Sequence, residues 1–480
     1  MKRGTHLFSH NCVYFCVQLC AISTTFVLLL AVFLSCATPG PDQGGATAEE
    51  RSRQEGRRGD APGEDLPAEI APGATLPGEI HLQEGALLDR VAGAILSRMT
   101  LEERVGQLFM PALMSDSRGA PLTELDQATR EMIATVQPGG VILFGANLRD
   151  PEQTRRLVED LQEASPLPLL VAVDQEGGVV SRLSSSSRMP ATAIPSASRI
   201  GRTGSEELAY AIAGAMAREL RSLGITMNFA PVADILTNPE NPVIGTRAFG
   251  SDPHLVARMV AATVRGLQDN GVSAVIKHFP GHGDTREDTH YQSVVVEHDL
   301  ERLRSLEFVP FRQGITAGAE GVMTAHISLP RVVGDDTPAT FSREVLQGIL
   351  REDLEYPGLI VTDSLVMKAL DRFAHPDERP LRAFQAGADL LLYPASPERS
   401  FRRILRALEE GEISEEALNG AVRRILRVKL ERGLLVPPAD FPEELPEGRF
   451  LRPLRFVPET VQMGTPEHLQ LVEEVYRRTS

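Results

Sequence analysis

Residues 276–291, IKHFPGHGDTREDTHY, carry three histidines, two basic side chains, three carboxylates and two glycines in one run. Three chemistries could use such a set. A metal site would draw on His278 and His282, whose H-x3-H spacing suits a helix face, but Pro280 and Gly281 lie between them and break that helix. A phosphate cradle would need a P-loop or a G-x-G-x-x-G pattern, and residues 281–283 supply neither. An acid/base device needs a carboxylate that can hold an imidazole. Asp288 and His290 stand two apart, so in an extended loop their side chains point the same way. A carboxylate so placed fixes the ring tautomer and stabilises its protonated form near neutral pH.

The elements that must position this run are legible as eight short apolar segments: 106–113, 139–145, 168–178, 226–235, 273–283, 321–330, 358–367 and 387–394. Several are continuous aliphatic runs, the pattern of parallel strands buried on both faces. Between the third and fourth, residues 205–224 put Leu208, Ile212, Met216, Leu220 and Leu223 on one helical face, with Ser205 as N-cap and Gly224 as stop. Strands alternating with helices predict an α/β fold, a (β/α)8 TIM-like barrel. Polar residues close the apolar runs: Asp174 after LLVAV, Lys277 and His278 after SAVI, His326 after VMTA, Asp363 after LIVT. Active sites of such barrels lie at the carboxyl ends of the strands, so these side chains are expected at one mouth. Asp389 precedes its apolar run and is expected at the opposite rim in a structural role.

Composition narrows the partners. The 480-residue chain has a formal net charge of -16, which argues against nucleic acid, whose phosphates require clustered Lys and Arg. It contains no Trp, so a carbohydrate site would be a small hydrogen-bonding pocket and not a long stacking cleft. Its four cysteines, Cys12, Cys16, Cys20 and Cys36, all precede residue 37 and form no disulfide framework. Residues 13–35 are uncharged and follow Lys2 and Arg3, the layout of an export signal, and Phe33-Leu34-Ser35-Cys36 resembles a bacterial lipobox with Phe33 where Leu is usual. The expected organisation is a lipoprotein signal, with lipidation at Cys36, or an uncleaved membrane anchor over 1–36. A flexible linker over 37–86, a catalytic domain over 87–434 and a Pro-rich extension with a terminal helix over 435–480 follow. This places the folded part outside the cytoplasm, in the cell envelope.

KHFPGHGDTREDTH resembles the signature of glycoside hydrolase family 3 β-N-acetylhexosaminidases of the NagZ type, with Thr289 for the usual Ser. The resemblance extends over residues 98–430, including DQEGGVVSRL (174–183), NFAPVADI (228–235), IGTRAFG (244–250) and LIVTDSLVM (359–367). It implies Asp363 as nucleophile, His290 as acid/base and Asp288 as its partner. Asp174, Arg182, Arg247, Lys277 and His278 are implied to hold N-acetylglucosamine, with no metal or other cofactor. Val179 stands where the family commonly has Arg, and Ser364 where it commonly has a second Asp. The implied reaction is retaining, exo-acting release of N-acetylglucosamine from peptidoglycan fragments or chito-oligosaccharides. A phosphorylase is the alternative, since a neutral histidine, unlike a glutamate, does not repel phosphate; a non-catalytic sugar-binding lipoprotein is a further one.

Overall fold

Ten parallel-paired segments organise the computed structural model, which describes residues 77–435 and 463–480. They are β1 (Phe109–Met110), β2 (Gly140–Ile142), β3 (Leu170–Val173), β4 (Met227–Asn228), β5 (Ser273–Phe279), β6 (Val294–Val295), β7 (Gly321–Thr324), β8 (Ile327–Ser328), β9 (Leu359–Val361) and β10 (Leu391–Leu392). The export segment with Cys36, most of the 37–86 tether and most of the Pro-rich stretch after 435 lie outside the described residues.

The main sheet is parallel and curled, in the order β2-β3-β4-β5-β7-β9, and β1 pairs with β10 beside it. Isolated parallel bridges, Ala112 to Ile142 and Val361 to Leu390, join that pair to both edges of the main sheet. Each of the eight apolar runs contributes one of these strands. The paired segments, two to seven residues long, are shorter than the runs, because the regular ladder stops while the chain is still buried, as after Asn228, where Val232 keeps only an isolated bridge to Lys277. β6 and β8 form a separate pair that the sequence reading did not foresee.

Local signals fix the helices. Ser205 accepts from the Leu208 amide at the start of Glu206–Ser222, and Leu208, Ile212, Met216, Leu220 and Leu223 are all buried. Such a cap is worth about 1 kcal/mol, and burial of each large aliphatic side chain about 1.5–3 kcal/mol. β5 is clamped from outside: Phe279 stacks on Phe308 at 5.3 Å and meets Phe311 edge-on at 5.2 Å. That anchors the strand bearing Lys277 and His278.

One boundary differs from expectation, and the expected terminal helix is docked. The helix Pro77–Leu96 begins within the stretch read as linker; Val91 and Ala92 are buried and Asp89 meets Arg427 at 3.0 Å. Pro is favoured at a helix's first position, where its missing N–H costs nothing, so a Pro-rich composition conceals such a start. The terminal helix Pro466–Thr479 is packed on the domain: His468 reaches buried Glu219 at 3.0 Å, and Arg199 lies 4.4 Å from the Tyr476 ring centre.

Candidate active site

The carboxyl ends of β3, β4 and β5 meet in a lattice of charge. Lys277 Nζ lies 2.8 Å from Asp174 and 2.7 Å from Glu176, and Arg247 grips both oxygens of Glu176 at 2.8 Å. Burial pushes the Glu176 carboxyl up, but Lys277 and Arg247 on either side outweigh it and hold its pKa at about 2. Burial likewise opposes charge on Lys277, and Asp174 and Glu176 overcome it, keeping the ammonium charged. Arg182 reaches Asp174 at 3.3 Å and lies over the Phe144 ring, while its buried Nε has no hydrogen-bond partner in the protein.

Consecutive residues of a regular strand face opposite ways, yet Lys277 and His278 both serve this cluster. The register of β5 against β7 shifts between Ile276 and Phe279, an irregularity of the kind that re-aims side chains. His278 Nδ1 lies 2.7 Å from Asp234, which also accepts the amides of His278 and His282. With the Nδ1 proton on Asp234, Nε2 faces the Arg247 guanidinium at 3.4 Å as an acceptor. Asp234 is fully buried, which alone would raise its pKa; His278 and His282 reverse that and lower it. Gly283 permits this approach, since a Cβ there would lie 1.8 Å from the Ile235 carbonyl.

Asp363 follows β9. Its Oδ1 accepts the Ser364 amide at 2.7 Å. Burial pushes its pKa up, but His326, His278, the Ser364 amide and His290 together bring it below the ordinary value, so it is a carboxylate at neutral pH. His326 donates from Nε2 to the Ser364 carbonyl at 2.9 Å and has Thr340 Oγ1 at 2.8 Å from Nδ1, bracing the backbone beside Asp363. Burial lowers the pKa of His326, favouring its neutral form.

His290 arrives on the loop after β5. Its Nδ1 lies 2.7 Å from Asp288 Oδ1, which also accepts the His290 amide at 2.8 Å. The dyad is open to solvent, the imidazole side chain being 58% exposed. Between them Thr289 points inward, buried, with its hydroxyl 3.1 Å from His282 Nε2, so Thr in place of Ser preserves the hydroxyl contact. Ala369 donates to the Thr289 carbonyl at 3.3 Å, tying this loop to the one that follows Asp363. The loop bearing the dyad is thus laid against the β9 loop.

Asp174, Arg182, Lys277, His278 and Arg247 thus come together, and Asp363 shares electrostatic surroundings with His278 and His290. The Nε, both Nη2 hydrogens and one Nη1 hydrogen of Arg247 face Glu176, His278 and the Val243 carbonyl, so most of its donors serve the protein. Sequence reasoning missed Glu176, Asp234 and the bracing role of His326. Glu176 and Asp234 stood within quoted motifs, Glu176 two residues after Asp174 and Asp234 at the end of the fourth apolar run, but the cations and imidazoles that mark them come from elsewhere in the chain. Among the described residues, no group of three or more His, Cys, Asp or Glu side chains is placed to hold a metal ion.

An ionised carboxylate and a carboxylate-held imidazole, at the carboxyl ends of a curled parallel sheet, are the parts of a glycosidase-type enzyme. The chain belongs to glycosyl hydrolase family 3: the family model described as Glycosyl hydrolase family 3 N terminal domain matches residues 100–428. It is 36% identical over 338 residues to Beta-hexosaminidase A of Pseudoalteromonas piscicida, covering 65% of this chain and 56% of that one. It is also 39% identical over 285 residues to a Beta-hexosaminidase of Tolumonas auensis, covering 59% and 82%. Among solved structures it resembles a glycoside hydrolase family 3 beta-N-acetylglucosaminidase from Paenibacillus sp. str. FPU-7, with TM-score 0.69, 39% identity and coverage of 79% and 69%. The beta-glucoside phosphorylase BglX bound to 2FGlc matches with TM-score 0.68, 27% identity and coverage of 81% and 66%.

Proposed function

We propose that the chain is a retaining, exo-acting β-N-acetylglucosaminidase built on a (β/α)8 barrel. The observation that carries this reading is the 2.7 Å contact between His290 and Asp288, on a loop hydrogen-bonded to the loop of ionised Asp363.

In the first step Asp363 attacks the anomeric carbon while His290 gives its Nε2 proton to the glycosidic oxygen. The C–O bond breaks, the leaving group departs as an alcohol, and a glycosyl ester forms on Asp363. Asp288 keeps the other ring proton and stabilises the imidazolium beforehand. In the second step neutral His290 takes a proton from water, whose oxygen attacks the anomeric carbon and frees Asp363. Lys277, Asp174, Arg182 and His278 hold the sugar, Arg182 through the exposed part of its side chain, while Glu176 and Asp234 keep Lys277 and His278 oriented.

The names of the relatives support an N-acetylhexosamine, and the buried cluster of Asp174, Lys277 and His278 supports recognition of a single terminal residue, as in peptidoglycan fragments or chito-oligosaccharides. An envelope location, through lipid on Cys36 or an uncleaved anchor, belongs to the same proposal. A second reading, transfer of the sugar to phosphate, draws on the histidine base and the phosphorylase neighbour. Turnover of an aryl N-acetylglucosaminide with and without inorganic phosphate separates the readings. Free sugar at a rate indifferent to phosphate is expected; sugar 1-phosphate formed only with phosphate would establish the phosphorylase, and no turnover in either buffer would leave a binding protein.

A further inference from the structure

Exposure rises outward along the site. Lys277 is 2% exposed, Asp174 16%, Arg182 28% and His290 58% as side chains, and Tyr291, next along the chain, is 72% exposed. Its ring centre lies 6.4 Å from that of His290, and its amide donates to the Asp288 carbonyl at 3.0 Å, so the dyad's own turn carries the ring. The eight exposed large hydrophobics among the described residues include one on each loop bearing the proposed chemistry: Val179 after β3, Tyr291 after β5 and Val366 after β9. Such placement is not what solubility favours.

On the proposed reading the acid/base touches the oxygen joining the bound sugar to its leaving group. Tyr291 follows the acid/base directly on the same turn and is far more exposed than the buried cluster, so it is the group of that turn free to meet what is attached beyond the oxygen. We propose that Tyr291 is the platform for the leaving group, stacking the C–H face of a pyranose ring attached to the departing oxygen. This inference rests on the glycosidase reading. It assigns the aromatic contact, for which the chain has no Trp, to one residue outside the terminal-sugar pocket. A sugar face presents polarised C–H groups to an aromatic ring, and one such contact accounts for roughly a tenfold change in affinity.

The test compares the full chain with Tyr291→Ala and Tyr291→Phe on two substrates: an N-acetylglucosaminyl disaccharide and the methyl β-N-acetylglucosaminide. Both leaving groups need protonation, but only the disaccharide offers a ring to stack. Tyr291→Ala is expected to lower kcat/KM for the disaccharide roughly tenfold, mostly through KM, with the methyl glycoside unchanged and Tyr291→Phe close to the parent. Equal loss on both substrates would make Tyr291 a positioning residue for His290 and overturn the proposal, as would no loss on either. Failure of the parent chain to cleave either substrate would instead overturn the glycosidase reading, and the platform with it.

Discussion

At the carboxyl ends of β3 and β5, Glu176 lies between Arg247 and Lys277; at the amino end of β10, Asp389 lies between Arg351 and Arg424, with the Ile360 amide donating at 2.8 Å. Both carboxylates are buried and doubly paired. The difference is in what surrounds them. Beside Glu176 stand partly open groups, Asp174 and Arg182, whose Nε lacks a protein partner, whereas Asp389 has each oxygen capped by its own donors. The opposite rim has a cavity of about 630 Å³ lined by Asp389, Arg424 and Arg343 among others, and no imidazole lines it. A cavity alone therefore does not locate chemistry here; an imidazole held beside a fixed carboxylate does. We place catalysis at the carboxyl ends and stability at the amino ends, and the contrast can be broken.

The largest effect is expected from His290→Ala. Loss of acid/base action costs about 10²–10⁴ in rate, with partial rescue on substrates with good leaving groups. Thermal stability should barely move, because the side chain is exposed; equal loss across leaving groups, or a large fall in Tm, would erase the contrast. Asp389→Ala should do the reverse. It leaves the largely buried Arg351 and the part-exposed Arg424 without their carboxylate, costing up to about 3–5 kcal/mol of stability in denaturant unfolding, with kcat of the folded enzyme unchanged.

Glu176 sharpens the comparison through pH. Its carboxyl titrates at about 2 when folded and near 4.5 when unfolded, so between these values the unfolded chain binds the extra proton. The stability it contributes is present above pH ~4.5 and lost as pH falls toward ~2, on the order of 3 kcal/mol. Glu176→Gln should flatten that part of the Tm against pH profile; an unchanged profile would mean the pairing carries no linkage. Lys429, buried with Gln107 Oε1 at 2.5 Å, costs stability at neutral pH where Glu176 adds it. Burial brings its pKa down to about 7, so stability rises from pH ~7 to ~10.5, where only the unfolded chain holds the proton. Lys429→Met should raise Tm at pH 7 by a few degrees, about 2–4 °C per kcal/mol, and remove that slope.

Much of this was legible in the sequence because strands buried on both faces are written as apolar runs and active groups stand where those runs stop. Asp174, Lys277, His278, His326 and Asp363 followed from that rule, and Asp389 from its inverse. The helix at 206–222 was legible because cap, stripe and stop agreed. Glu176 and Asp234 were not, since a buried carboxylate is recognisable only by the cations folded against it, and those come from other strands. The commitment of Arg247 to Glu176 was hidden for the same reason. The Pro77 helix was obscured by composition, and β6 and β8, two residues each, are too short for periodicity to register.

The account turns on Asp363 becoming covalently bonded to the sugar. Incubating the chain with a fluorinated N-acetylglucosaminyl fluoride that forms the ester faster than water releases it, followed by peptide mass spectrometry, tests this directly. The account predicts one added sugar per chain, on the peptide containing Asp363, and none in Asp363→Asn. Label on any other side chain, or fluoride release with no labelled peptide, would contradict it.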